Sequence, residues 1–446
     1  MGGVLGSRKA APTDAKPPKA GEPAVAVPAG WCQLDLTGTP ARGKRVADGP
    51  LGDESLATIG DFVWAEGPPK ESVDELVDLL AADGRGVTPY TVDHLRRRVI
   101  LVQADPSTLT EGTFVYQQQR QHATRVYAVP YAMLAEAVER LAIDAADGWS
   151  GKVIFLHSTG RCGSTLLCRL LGKARGVVSL SEPDVYSYIT WLVSTKPNGL
   201  DELLDNKVLS AITWLLYRFA CPGNSGVVCI KMRSQVIELA EVLKRAMPAS
   251  KQLFLYRNPV DTIDSFCMAF LSNFVTRQLR WWNLDSWFIY KVSGWDRDFP
   301  YLAPLLAAGD RRFREDLIRR LGFVGLMTMI WLSNMDTALR LQRTSFFDGC
   351  IMYEDLCIHR VTVAKALIKA CGYDWDGLEE AEAGSVFDED AHGHSGETRS
   401  RRRERNASGP MYITKNDEPL LKQLLEQHVE LTAASFVVPN THTFEE

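Results

Sequence analysis

Two short stretches of the chain combine residue types that hold oxyanions. In HSTGRCGST, residues 157–165, Gly160 and Gly163 stand either side of Arg161, where the apolar run VIFL gives way to STLLCRLLGKA. Glycines at such a turn let backbone N–H groups crowd an anion, and the N-terminus of the following helix adds partial positive charge. Ser164 and Thr165 offer hydroxyls from the first helical turn, and Arg161 offers a permanent cation with a planar fork. This is a site for a phosphate or sulfate end. Aligned on the nucleotide triphosphatase pattern GxxxxGKS/T, Ser158 replaces the first glycine and Ser164 replaces the lysine. Magnesium-dependent phosphoryl transfer needs that lysine and a carboxylate at a strand end. The later strands end in Lys231 and Arg257, which disfavours kinase or ATPase chemistry.

The second stretch is YRNPVDTIDSF, residues 256–266. Asn258 is a good N-cap, Pro259 fits the first helical position, and Asp261 lies three residues past the cap, so a helix is predicted to start directly after Arg257. Ser265 follows Arg257 by eight residues on that helix. An arginine at a strand end and a hydroxyl on the next helix suit a second phosphate held away from the first.

Together, RCGST and RNPVD with the arginine-to-serine spacing resemble the sulfotransferase superfamily, over about residues 151–375. The resemblance implies that Arg161, Cys162, Gly163, Ser164 and Thr165 bind the 5′-phosphosulfate of 3′-phosphoadenosine 5′-phosphosulfate (PAPS), and that Arg257 and Ser265 bind its 3′-phosphate. MYEDL at 352–356, expected on a strand before the helix VTVAKALIKACG, resembles a later segment of the family. The same resemblance gives Arg161 the leaving phosphate to stabilise and Lys231 the sulfuryl group to neutralise. It implies 3′,5′-ADP as product and no metal.

One position departs from the pattern. Many cytosolic members carry a base histidine two residues after that lysine, and here the residue is Arg233. Other branches place a glutamate after the second strand, which makes Glu182 in SLSEPD the base candidate, because a carboxylate facing a desolvated site gains basicity. Its plainer reading is a capping or salt-bridging glutamate. His157 is the reserve candidate and Asp184 a further one. Trp281, Trp282, Trp287 and Tyr290 in LRWWNLDSWFIY would either line an apolar acceptor pocket or pack into the core. The basic run from Arg399 to Arg405 would either close over the 3′-phosphate, as a basic C-terminal loop does in the family, or be simply solvated.

These residues need a scaffold, and the chain shows one. After Gly151, apolar runs of four or five residues (VIFL, VVSL, VVCIK, QLFLY) alternate with amphipathic segments, the pattern of parallel strands buried on both faces with crossover helices. The expected fold is α/β, a P-loop type doubly wound parallel sheet at 149–446, with a mobile loop at 379–409. Before it, residues 31–148 alternate short apolar runs (RRVILVQAD, GTFVYQQQ) with the helical ESVDELVDLLAADG and AMLAEAVERLAIDAAD, a small α+β module without a recognised motif. Residues 1–30 are rich in Ala, Pro, Lys and Gly, the composition of a disordered tail.

Composition narrows the function classes. Lys plus Arg number 50 against 55 for Asp plus Glu, a net charge of -5, so nothing global points to nucleic acid or an anionic membrane. Nine scattered cysteines without a CxxC pair fit a reducing compartment better than a disulfide framework or a zinc site. No run of 18 apolar residues and no signal-peptide core is present, and the myristoylation pattern is missed, with Gly6 where Ser or Thr belongs. The sequence therefore reads as a cytoplasmic enzyme with a small-molecule acceptor. Two alternatives stand beside it: a nucleotide-binding or interaction module without turnover, and a magnesium-dependent small-molecule kinase. The acceptor and the oligomeric state are not legible.

Overall fold

Strand-forming segments sort by their pairing into two sheets, one antiparallel and one parallel. The computed structural model describes residues 30–36, 56–82, 86–111, 114–143, 149–195, 199–224, 226–270, 274–282, 284–289, 311–373, 385–387, 412–413, 417–428 and 437–444. The expected tail at 1–29, the run 399–405, Tyr290 and nearly all of the expected loop at 379–409 lie outside the described residues.

The first sheet joins β1 (Cys32–Leu36), β2 (Trp64–Glu66), β3 (Val87–Asp93), β4 (Arg98–Gln103) and β5 (Arg125–Pro130) in the order β2-β1-β5-β4-β3. Helices α1 (Val73–Ala82), α2 (Val115–His122) and α3 (Tyr131–Ile143) accompany it. The VYQQQ part of the run GTFVYQQQ opens α2, not an extended segment, because Val115 and Gln119, one helical turn apart, are both buried on it. Arg98 of β4 is fully buried, and its charge is answered by Asp93 at 3.1 Å and Glu66 at 2.8 Å.

The second sheet is parallel throughout and joins β6 (Val153–Ser158), β7 (Val177–Ser181), β8 (Val227–Lys231), β9 (Lys251–Tyr256) and β10 (Gly349–Met352) in the order β10-β9-β6-β8-β7. Helices α4 (Ser164–Leu171), α5 (Val185–Thr195), α6 (Asn206–Ala220), α7 (Pro259–Phe270), α8 (Phe323–Gln342) and α9 (Tyr353–Ala370) surround it. Side chains of β6 enter two different cores in alternation. Phe155 meets Tyr186 of α5, whereas Ile154 and Leu156 pack with Leu167 and Leu171 of α4 and Leu367 of α9. That is why VIFL carries no polar residue: both faces of the strand are covered. Each such side chain contributes about 1.5–3 kcal/mol on burial.

One core crosses between the sheets. Leu101 and Val129 of the antiparallel sheet, Leu134 of α3, and Leu209, Ile212 and Leu216 of α6 belong to a single buried cluster with Phe155 and Ile230. The N-terminal sheet is thus fastened beside the parallel sheet, next to the ends of β7 and β8. MYEDL divides differently from expectation, because Met352 closes β10 and Tyr353 opens α9. No helix among the described residues is long and apolar enough to cross a membrane.

Candidate active site

β6 is the middle strand of the parallel sheet, flanked by β8 and β9, so whatever follows it is placed at the centre of the sheet's C-terminal edge. The chain leaves the strand with Thr159 N donating to Leu255 O at 3.2 Å. It then turns through left-handed backbone at Gly160 (φ 77°), Arg161 (φ 51°) and Gly163 (φ 80°). Arg161 bears a side chain there at a cost of about 1–2 kcal/mol. Cys162 is buried with its Sγ against Leu255 O at 3.3 Å, so it anchors the loop from beneath. Gly163 occupies the cap position of α4, where it supplies no side-chain acceptor to the first-turn amides. Ser164 and Thr165 lie in that turn, each about 6% exposed. A Cβ at Gly163 would fall 2.5 Å from Cε2 of Tyr353, and one at Gly160 would fall 2.7 Å from Cζ of Phe266.

The second stretch folds as its cap residues predict. Asn258 Oδ1 accepts from Val260 N at 3.0 Å, and the helix runs from Pro259. Arg257 lies over the ring of Tyr353 at 4.6 Å and 3.5 Å from Asp261. Its Nε–H is buried without a hydrogen-bond partner among the described residues. The Asn258 amide donates to Glu354 Oε1 at 3.3 Å, and burial pushes the Glu354 carboxyl above its usual range. Ser265 accepts from Arg161 Nε at 3.3 Å, across 104 residues of sequence. Next to Ser265, buried Asp264 accepts from the backbone N–H groups of Tyr412 at 2.6 Å and Ile413 at 3.2 Å, which ties a C-terminal segment to α7.

Beside the loop, at the ends of β7 and β8, stands a chain of charges. Glu182 follows β7 with left-handed backbone, φ 54°, fixed by its N–H donating to Lys231 O at 2.8 Å. Its carboxylate pairs closely with Lys231 Nζ and lies 3.4 Å from Arg233 Nε. Arg233 in turn lies 3.1 Å from Asp184 Oδ1. Asp184 is wholly buried, and burial pushes its carboxyl above the usual range against the pull of Arg233 and the amide of Ala57, which donates to Oδ2 at 2.5 Å. Two aromatic rings from the α2 segment lie over these cations: Phe114 at 5.5 Å from Lys231 Nζ and Tyr116 at 4.5 Å from the Arg233 guanidinium.

Of the residues singled out in the sequence, the structure therefore gathers Arg161, Gly163, Ser164 and Thr165 with Arg257, Ser265 and Tyr353, and places Glu182, Asp184 and Lys231 together at the neighbouring strand ends. His157 stands elsewhere. It is fully buried with Nε2 2.9 Å from Gln252 Oε1, behind the loop and among Phe155 and Phe347. Trp281, Trp282 and Trp287 are 78%, 62% and 56% exposed, so they do not fill the core. Leu279 turns inward and Arg280 is bound to Asp285 at 3.3 Å and Asp417 at 2.5 Å, which sets the next two residues facing outward. Ala57, Phe114 and Tyr116 were not singled out, and no motif marks them.

Burial lowers the pKa of His157 to about 4, from an ordinary 6.5. Between those values the unfolded chain binds more protons than the folded one. The stability that His157 contributes is thus complete above pH 6.5 and is lost as the pH falls through 4. About 3 kcal/mol is at stake. Urea unfolding at pH 7 and pH 4 should show His157→Gln losing about 3 kcal/mol less on acidification than the unsubstituted chain; equal losses would contradict a buried neutral imidazole.

No family model matches the chain, and no curated protein matches it. Solved structures similar to it include a sulfotransferase from Alicyclobacillus acidocaldarius, 14% identical, TM-score 0.33, covering 60% of this chain and 94% of that one. Another is the sulfotransferase domain from the curacin biosynthetic pathway, 15% identical, TM-score 0.32, covering 62% and 96%. A third is a sulfotransferase from Mycobacterium avium, 12% identical, TM-score 0.34, covering 85% and 100%. These likenesses are too loose to transfer a residue's role.

Proposed function

We propose that this protein is a cytoplasmic sulfotransferase with a P-loop type fold. It moves a sulfuryl group from PAPS onto a hydroxyl or amine of a small-molecule acceptor and releases 3′,5′-ADP. The observation that carries this reading is the meeting of the two anion motifs: Arg161 of the first reaches Ser265 of the second at 3.3 Å, and Tyr353 both faces Gly163 and lies under Arg257. The site suits such a donor. Phe266 and Tyr353 pack so closely on Gly160 and Gly163 that a Cβ at either would strike a ring, which keeps the loop backbone bare, and the buried Nε–H of Arg257 awaits an acceptor.

The assigned roles follow from position. The amides and hydroxyls of residues 163–165 and the Arg161 cation hold the 5′ end, while Arg257 and Ser265 hold the 3′-phosphate. Lys231 neutralises charge on the sulfuryl oxygens, and Glu182 takes the acceptor's proton. The acceptor's oxygen or nitrogen bonds to sulfur as the bond from sulfur to the bridging oxygen breaks, and that electron pair stays on the phosphate beside Arg161. A second reading, nucleotide binding without turnover, is favoured by the close pairing of Glu182 with Lys231, which occupies both groups.

Calorimetry with 3′,5′-ADP and 5′-AMP tests the donor. A 3′-phosphate held by charge-assisted hydrogen bonds should raise affinity by about 10- to 100-fold, and Arg257→Ala should erase the difference. Equal binding of the two nucleotides, or a preference for ATP with magnesium, would overturn the sulfotransferase reading. Transfer from PAPS to any member of an acceptor panel, lost in Glu182→Gln with 3′,5′-ADP binding retained, would dispose of the reading without turnover.

A further inference from the structure

Arg233 stands two residues after Lys231, where the resembled cytosolic enzymes keep their base, and its surroundings give it a different task. Its side chain is 12% exposed, with Nε 3.1 Å from Asp184 Oδ1 and 3.4 Å from Glu182 Oε2. The Tyr116 ring lies 4.5 Å from its guanidinium. Asp184 is fixed from its other side by the Ala57 amide, and Thr91 Oγ1 holds Ala57 by donating to its carbonyl at 2.7 Å. Farther into the N-terminal sheet, Arg120 Nε donates to Tyr90 Oη at 3.0 Å and Arg120 Nη2 lies 3.6 Å from Asp61, with its positive charge felt at Asp184. The side chains alternate in sign: Asp61, Arg120, Asp184, Arg233, Glu182, Lys231.

We infer that Arg233 is a positioning residue for Glu182, and that the N-terminal sheet, through Tyr116 and the Ala57–Asp184 contact, holds it in place. The inference rests on the sulfuryl-transfer reading above. Lys231 has two partners to serve, the Glu182 carboxylate and the sulfuryl oxygens, and it cannot satisfy both at full strength. Arg233 is instead held against Glu182 by Asp184 and the Tyr116 ring. When the Lys231 ammonium turns to the sulfuryl group, Arg233 keeps the carboxylate ionised and aimed at the acceptor. An arginine suits this task because it stays charged throughout the working pH range, and a planar guanidinium between a ring and two carboxylates has little freedom to wander. Charged and titratable groups facing Glu182 include Lys231 and Arg233, with Asp184 beyond Arg233 and the Cys168 thiol behind the strand. Removing the Arg233 charge should therefore make Glu182 easier to protonate.

The test uses the full chain and its Arg233→Met, Arg233→Lys and Tyr116→Leu variants. Two quantities are read: the pH dependence of kcat for loss of the sulfuryl group from PAPS, to an acceptor or to water, and calorimetric binding of 3′,5′-ADP. In Arg233→Met the acid limb of kcat should move up by about one pH unit or more, a roughly tenfold loss of rate on that limb. Arg233→Lys should recover most of it, and 3′,5′-ADP affinity should stay within about threefold of the unsubstituted chain. Tyr116→Leu leaves every charge in place, so its shift should be smaller and in the same direction. An unmoved acid limb, a lysine variant no better than the methionine one, or a parallel loss of 3′,5′-ADP binding would each overturn the positioning role. An unsubstituted chain that does not prefer 3′,5′-ADP over 5′-AMP would instead remove the donor reading, and that outcome is visible without any variant.

Discussion

Under the proposed sulfuryl transfer, Lys231→Met is expected to lower turnover by about 10²–10³-fold while 3′,5′-ADP affinity stays nearly unchanged, because a preorganised donor aimed at developing charge acts on the transition state and not on the bound nucleotide. The side chain of Lys231 is 5% exposed, with Phe114 on one side and Glu182 on the other, so water does not readily replace its charge. Stability should also fall, since Glu182 loses the Lys231 ammonium, but by less than the 3–5 kcal/mol typical of breaking a fully buried pair, because Arg233 still faces the carboxylate. The double variant Lys231→Met/Glu182→Gln separates the two effects. With both charges gone, stability should recover toward that of the unsubstituted chain and turnover should not. If the double variant regained activity along with stability, or if Lys231→Met alone stayed within tenfold in turnover, Lys231 would be a structural partner of Glu182 and nothing more.

Much of the parallel sheet was legible because its determinants are local. VIFL and VVCIK carry no polar residue before their last position and QLFLY only its opening Gln252, as expected of strands covered on both faces. The start of α7 was equally legible, since Asn258 and Pro259 are residues whose side chains alone dictate a helix N-terminus. What escaped reading depends on partners far away in sequence. Glu182 adopts left-handed backbone with no glycine or asparagine to announce it, and the cause is a hydrogen bond to Lys231, 49 residues on. The aromatic run at 281–290 suggested burial, but apolar character buries a residue only where a complementary surface exists, and Trp281 and Trp282 face none among the described residues. Phe114 and Tyr116 stood in a segment without any motif, and only the core shared between the two sheets brings them over Lys231 and Arg233. Tyr353 was visible within MYEDL, yet its dual contact with Gly163 and Arg257 needs β9 and β10 side by side.

That dual contact makes Gly163→Ala a damaging small substitution. The added methyl meets two separate penalties. Left-handed backbone at φ 80° costs an alanine about 1–2 kcal/mol. The Cβ would also lie 2.5 and 2.6 Å from Cε2 and Cδ2 of Tyr353, so either the loop or the ring must move, at a further cost of about 1–3 kcal/mol. On the proposed reading either movement would harm nucleotide binding: a displaced loop would carry the first-turn amides away from the 5′ end, and a displaced ring would release Arg257, which lies over it at 4.6 Å. A loss of at least about 100-fold in 3′,5′-ADP affinity is expected, the equivalent of some 2.7 kcal/mol. Gly176 provides the comparison, because its φ of 79° is the same and a Cβ there meets nothing within 4 Å. Gly176→Ala should therefore lose about 1–2 kcal/mol of stability and no nucleotide affinity. If the two variants proved equally harmless to binding, Gly163 would be there for the turn alone, and its close packing against Tyr353 would have no part in holding the nucleotide.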